Sequence, residues 1–362
     1  MMSLYLDNSA TTPVTRPVLD AMLPYFSSMY GNPSSSYKYG RIAKAAIKQA
    51  REQFAKAINT EPEQIFFTSG ATESNNLVRR FFGKNTVYAS IYEHPSMRAG
   101  HIVYDKESYE NQKQKICHMS DTLLSWQYVN SETGMIFPIK EIVQITHMNN
   151  AYFHSDMTAA FGKVPIDVEH LDVDFASFSG HKFHAPKGIG VLYIKEPKKF
   201  HSDIIGGGQE SNLRSGTENV PAIVGIGKAA ELYNYSEEKE MACKIIRDKL
   251  ITQLCAKMPC DFKILENKNF NVPSILNIAI QGIEGESVAL ILDSKEIFVS
   301  TGSACHSKSL EASPTVKSFN LPEDYEHGTI RISFDETFRD EDIIYFVNTL
   351  VRTCEILTSI KN

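Results

Sequence analysis

Six short apolar runs punctuate the first 200 residues: "QIFFT" at 64–68, "TVYASI" at 86–91, "LLSWQYV" at 123–129, "AYFHS" at 151–155, "DFASFS" at 174–179 and "GIGVLYI" at 188–194. Each has the length of a buried strand, and helical patterns separate several of them. The clearest of these patterns covers 41–58, with Ala43, Ala46, Ile47, Ala50, Phe54, Ala57 and Ile58 at helical spacing behind the turn-rich "YGNPSSS". Alternation of this kind predicts an α/β fold with a mostly parallel sheet between helices. Ligands of such sheets gather at the carboxyl ends of the strands. A charged amphipathic stretch from about 236 to 258 predicts a long helix. Beyond it, "SILNIAI", "ESVALILDS", "IFVS", "TIRISF" and a helix from about Asp340 predict a smaller α+β domain, with the boundary near 250–260.

Composition narrows the function only by exclusion. Hydrophobic residues make up 42% of the 362, which is ample for a core, and the net charge is −6. That balance argues against nucleic acid or an anionic membrane as the main partner. The start "MMSLYLDNSATTP" lacks the basic and apolar regions of a signal peptide, and no membrane-spanning run is expected. Six cysteines, Cys117, Cys243, Cys255, Cys260, Cys305 and Cys354, show neither a C-x-x-C pair nor metal-finger spacing. No metal is therefore expected, and a reducing, cytoplasmic setting fits best.

The chemistry is concentrated in "SFSGHKFHAPKG", residues 177–188. Lys182 follows a strand through Ser-Gly-His and so stands at a strand's carboxyl end, whereas Lys187 sits in an ordinary turn. A free lysine, with a pKa of about 10.4, is a poor nucleophile near neutrality. It becomes useful when desolvated or condensed with an aldehyde, and pyridoxal 5'-phosphate (PLP) is the commonest such partner. That cofactor needs an acid for its ring nitrogen, an anion site for its phosphate and a group against its ring. Asp156, ending the run "AYFHS", can supply the acid. The turn into a helix at "TSGATESNN" offers unpaired amides at Ala71 and Thr72, joined by Ser179 and His181. His94 in "YEHPS" can stack on the ring and move protons. Taken singly, each reads as readily as a cap, a turn, a structural histidine or a solvated lysine; their order along alternating strands is what points to a cofactor site.

Seven motifs then carry a resemblance over nearly the whole chain: "YLDNSATTP", "YGNPSS", "FTSGATESNN", "YEHP", "SFSGHK", "GGGQE" with "RSGTENVP", and "STGSAC" with "SLEAS". Together they resemble the cysteine desulfurases, a class V aminotransferase branch of the PLP-dependent transferases of fold type I. The short segment between Cys305 and "SLEAS" is similar to the housekeeping and nitrogen-fixation group. The resemblance implies a large PLP-binding domain at 13–255 and a small domain formed by 1–12 and 256–362, which carries the Cys305 loop. It implies that Lys182 holds the cofactor covalently, Asp156 pairs with the pyridine nitrogen, and His94 stacks on the ring. Thr72, Ser179 and His181 would bind phosphate. Thr217 would reach the phosphate of a neighbouring subunit, which implies a homodimer with shared active sites. Arg331 would clamp the carboxylate of L-cysteine, with Asn8 bordering the pocket and Ser131 beside the substrate.

Cys305 also has a case from its own surroundings. "VSTGSACHSKS" is small and polar, a setting for an exposed loop rather than a core cysteine, and His306 can favour the thiolate. That thiolate would take the substrate's sulfur as a persulfide and pass it to an acceptor protein, an iron–sulfur scaffold or a tRNA-thiolation protein. Four positions depart from the family pattern. Ser131 stands where a second Asn is usual, Ala159 replaces Gln, Tyr37 replaces His and Asp335 replaces Gly. Ser131 and Ala159 keep two other readings open: selenocysteine lysis or β-elimination from a cysteine derivative, and a non-catalytic paralogue.

Overall fold

The computed structural model describes residues 3–83, 87–98, 101–102, 122–201, 204–267, 270–301 and 312–361. The chain divides into two compact units, one of Thr12–Tyr128 with Phe137–Tyr235, the other of Met1–Thr11, Val129–Ile136 and Ser236–Asn362.

In the larger unit a seven-stranded sheet runs in the order Ile65–Thr68, Gly190–Ile194, Phe175–Ser179, Tyr152–Asp156, Leu123–Ser125, Val87–Ala89, His101–Ile102. All neighbours are parallel except Gly190–Ile194, which runs against both of its partners. The six runs read from the sequence thus each hold a strand, the third trimmed to Leu123–Ser125. Side chains alternate along a strand, so register decides what shares a face. Ser125 pairs with His154, and Asp156 with Ser177. One face of the sheet therefore carries Ser125, His154, Asp156, Ser177 and Ser179. On the other, Phe178 packs edge-on against Phe54, which stacks on Phe161 at 5.4 Å between ring centroids.

Phe54 comes from the helix Lys38–Ala57, whose Ala43, Ala46, Ile47 and Ala50 are also buried. The helix Val220–Leu232 lies close along it: a Cβ on Gly227 would stand 2.5 Å from the Cα of Ala50. Truncating a fully buried aromatic such as Phe54 to Ala costs about 3–5 kcal/mol, so this layer anchors the sheet from behind while the polar face stays free for chemistry.

The smaller unit holds an antiparallel sheet in the order Ser300–Thr301, Thr329–Ser333, Ile275–Ile280, Phe262–Ile264. Leu4–Tyr5 pairs in parallel with Ile297–Phe298. The long helix Glu237–Lys257 belongs here rather than with residues before 255. Its Cys243, Ile246, Leu250 and Leu254 share one core with Leu276, Ile278, Phe346 and Leu350. The excursion at 129–136 joins the same unit through side-chain bonds. Asn130 Oδ1 accepts from the Glu132 and Thr133 amides, and Asn277 Nδ2 donates to the Glu132 carbonyl at 3.0 Å.

The expectation of no membrane-length apolar run needs one correction. The helix Asp340–Lys361 is long and apolar enough to cross a bilayer. Its Ile343, Phe346, Val347, Leu350 and Cys354 are nevertheless buried in this unit's core. A protein core imposes the same apolar pattern on a helix as lipid does.

Candidate active site

Asp156 is the last residue of its strand and only 7% exposed. A buried carboxylate must be hydrogen-bonded to persist, and this one is. Its Oδ2 accepts from Asn75 Nδ2 at 3.0 Å and its Oδ1 from the Thr158 amide at 3.0 Å. Asn75 belongs to the helix Ala71–Phe82, one turn in, and is fully buried. Its Nδ2 also donates to Ser96 Oγ at 2.9 Å, while its Oδ1 is buried with no partner.

Ser96 continues the connection to His94. Its Oγ lies 2.8 Å from His94 Nδ1, and its own amide donates to that nitrogen at 3.2 Å. A backbone N–H can only donate, so Nδ1 is an acceptor and the neutral ring carries its proton on Nε2. His94 is exposed at its edge, yet the protein packed around the ring lowers its pKa, first by desolvation. The Asp156 carboxylate opposes this, and the positive charges of Lys182 and Arg98 reinforce it. With its pKa below the ordinary histidine value, His94 is neutral at neutral pH.

Lys182 closes the short turn Gly180–Lys182 that follows Ser179. It is half-buried, whereas Lys187 is exposed, as expected of an ordinary turn lysine. His181 is pushed down to about 4, first by desolvation and then by the charges of Lys182 and Lys187. Its carbonyl is pinned by the Thr12 amide and hydroxyl, which fixes the turn.

Across from this turn, Gly70 opens the helix Ala71–Phe82 with φ 154° and ψ 173°, a region only glycine adopts readily. No side chain caps that helix start, so its first amides can meet an anion. The backbone comes very close here: a Cβ on Gly190 would stand 2.6 Å from Gly70 Cα. Ser179 is buried beside it, while Thr72 and Thr217 are exposed.

The smaller unit gathers a second set. Arg331 is 9% exposed; it donates to Asp7 Oδ1 at 2.7 Å and to the Ser131 carbonyl at 2.9 Å, with its Nε buried and unpartnered. Asn8 Nδ2 donates to Asp335 Oδ2 at 3.3 Å. Arg331, expected at the substrate carboxylate, and Asn8 and Ser131, expected to border the substrate, therefore lie in one unit, and Asp7 engages the arginine.

A family model described as "Aminotransferase class-V" matches residues 4–346. "Cysteine desulfurase IscS" of Dictyoglomus turgidum is 37% identical over 379 residues, covering 99% of this chain and 96% of that protein. The chain belongs to the class V aminotransferase family, among the cysteine desulfurases. Solved structures agree. "NIFS-LIKE PROTEIN" superposes with a TM-score of 0.88 at 31% identity, covering 98% of this chain and all of that one. "SspA in complex with cysteine" has a TM-score of 0.78 at 29% identity, covering 92% and 99%. The desulfurase fold is thus the observed architecture, the α/β class read from the strand alternation.

Against the desulfurase pattern, Cys305 and Cys117 lie outside the described residues. Ala159 is half-buried, and next to it Thr158 Oγ1 is a buried hydroxyl with no partner. The replacement of Gln thus leaves a polar group close by. Tyr37 is 59% exposed, and Asp335 takes over the bonding of Asn8 and of the Thr337 amide. Asn75 and Ser96, which orient Asp156 and His94, escape the sequence reading. The available signal was an Asn on the inner face of a predicted helix, one turn beyond Ala71.

Proposed function

We propose that this chain converts L-cysteine to L-alanine, with PLP held at the carboxyl ends of Tyr152–Asp156 and Phe175–Ser179 and the sulfur taken by Cys305. The observation that carries the reading is that Asp156 and Lys182 stand at the ends of adjacent strands, with Asn75 and Ser96 linking Asp156 to His94, next to a helix start that no side chain caps. The donor set fits the cofactor. Asp156 offers a ring N–H a buried carboxylate with one donor on each oxygen and lone pairs left over, and Asn75 Oδ1 is a buried acceptor lacking a partner. The amides of Ala71 and Thr72, with Ser179 and His181, would hold the phosphate. A relative solved with cysteine supports the substrate.

Bound there, PLP supplies an electron sink for the pair released when a bond at the substrate's α-carbon breaks. The remaining work falls to side chains. Lys182 would hold the cofactor, and its amine, when free, would carry protons to and from the substrate. His94 keeps Nδ1 tied to Ser96 and presents the Nε2 proton. Arg331 is the group for the substrate carboxylate, a planar permanent cation suited to that fork. The Cys305 thiolate attacks the substrate's sulfur: L-cysteine plus a thiol gives L-alanine plus a persulfide, which an acceptor protein then takes. Free thiols at Cys243, Cys255, Cys260 and Cys354 support a reducing, cytoplasmic setting.

The test is alanine and sulfide release from L-cysteine by PLP-loaded protein with a thiol reductant. Lys182→Ala should lose both products by at least ~100-fold, the scale of one general acid–base group. Cys305→Ala should lose sulfide release, which the reductant draws from the persulfide, while still binding cofactor. A wild type that binds PLP and is inert toward L-cysteine, yet acts on selenocysteine or a β-substituted cysteine, would move the activity to that substrate.

A further inference from the structure

Beneath the Asp156 carboxylate runs a buried chain of hydrogen bonds that the proposed reaction does not use. Glu93, 2% exposed, has Oε1 2.8 Å from Ser125 Oγ; Ser125 Oγ lies 2.8 Å from His154 Nδ1; His154 Nε2 lies 2.8 Å from Ser177 Oγ. Ser125, His154 and Ser177 have no exposed surface at all. The second carboxyl oxygen of Glu93 is buried without a partner.

A hydroxyl has one proton, so Ser125 donates either to Glu93 or to His154, never to both. If Glu93 were a carboxylate, Ser125 would donate to it, His154 would carry its proton on Nδ1, and Nε2 would accept from Ser177. If Glu93 is a carboxylic acid, the order reverses: Glu93 donates to Ser125, Ser125 to Nδ1, and Nε2–H to Ser177. The two states differ by one buried negative charge beside Asp156. An unpartnered carboxylate oxygen with no water access is costly, which favours the acid.

We propose that Glu93 is a positioning residue, a neutral acid that orders the protons of Ser125, His154 and Ser177 and leaves Asp156 as the one buried anion of this sheet face. The inference rests on the reading above in one respect, that Asp156 faces the cofactor's ring nitrogen. The surrounding charges agree. Burial and then the Asp156 carboxylate push Glu93 well above the usual carboxylate range, with Ser125, the His94 amide and Arg98 opposing. Burial likewise pushes His154 down to about 4 against the pull of Asp156, so its ring is neutral. With Asp156, His154, His94 and Arg98 as the ionisable neighbours, a second carboxylate here would repel the first.

Two readouts test this. Infrared spectra of the protein at neutral pH, far above the ordinary carboxylate pKa of about 4.3, should contain the C=O band of a protonated carboxylic acid that vanishes in Glu93→Gln. This measurement needs no cofactor, so it separates the present inference from the reading it rests on. In the PLP-loaded enzyme, the pH midpoint of the cofactor's absorbance change should be the same in wild type and Glu93→Gln, because the amide can donate to Ser125 as the acid does. Glu93→Ala, which breaks the chain, should move that midpoint by about one unit or more. Should Glu93→Ala fail to fold, Ser125→Ala cuts the chain at the next link and carries the same expectation. Absence of the infrared band, a shifted midpoint in Glu93→Gln, or an unshifted midpoint in the broken chain would each overturn the proposal. A wild type without any cofactor band would instead defeat the assignment of the PLP site, leaving the infrared result to decide the role of Glu93.

Discussion

Asp156 keeps its carboxylate in a nearly closed setting because two donors reach it, Asn75 from a helix and the amide of Thr158 from its own turn. Replacing Asn75 with Leu preserves bulk and removes the side-chain donor, leaving Oδ2 without that bond. Stranding such a group costs about 1–3 kcal/mol. Urea unfolding of Asn75→Leu should show a loss in that range at neutral pH. An unchanged stability would show that the bond to Asp156 contributes nothing net. The places of Asp156, His94 and Lys182 at or just past strand ends were legible in the sequence because the strands themselves are recognisable. Asn75, Ser96 and Glu93 were not, since their roles depend on which side chains the sheet register and one helix face bring together.

The segment between Gly206 and Asn219 shows how an element can hold strain. Glu210, Ser211 and Asn212 all have positive φ, at 48°, 57° and 68°. Each costs roughly 1–2 kcal/mol for a residue with a Cβ. The compensation is buried: Arg51 grips both Glu210 oxygens, at 2.8 and 2.5 Å, and the Phe67 amide donates to one of them at 2.8 Å. A second tie, Arg214 to Glu73 at 2.9 Å, fixes the segment to the first turn of the helix Ala71–Phe82. Glu210→Ala would strand the Arg51 charge and release the strained turn together. A loss of about 3–5 kcal/mol in thermal or urea unfolding is expected, with greater protease sensitivity near 206–219. At this scale the strands and the helix Lys38–Ala57 were readable from period alone. The membership of Glu237–Lys257 and of 129–136 was not, because it is set by non-local partners such as Leu276 and Asn277 rather than by local pattern.

For the whole molecule, the larger unit exposes a run of large apolar side chains near its start: Leu23 at 47%, Phe26 at 61%, Tyr30 at 70% and Tyr37 at 59%. Thr217 is exposed as well. Large apolar side chains exposed close together in sequence are a feature of interfaces, and they support the proposal that two chains pair and share their sites. Wild type should sediment as a dimer, and Tyr30→Asp with Phe26→Asp should shift it toward monomer and lower activity in parallel; a wild-type monomer with full activity would refute the shared site. Sulfur transfer tests the account most directly. After PLP-loaded protein is exposed to L-cysteine without reductant, peptide mass spectrometry should find one added sulfur on Cys305 in wild type and none in Lys182→Ala. Sulfur on Cys305 in both proteins, or alanine released from wild type with Cys305 unmodified, would contradict the account.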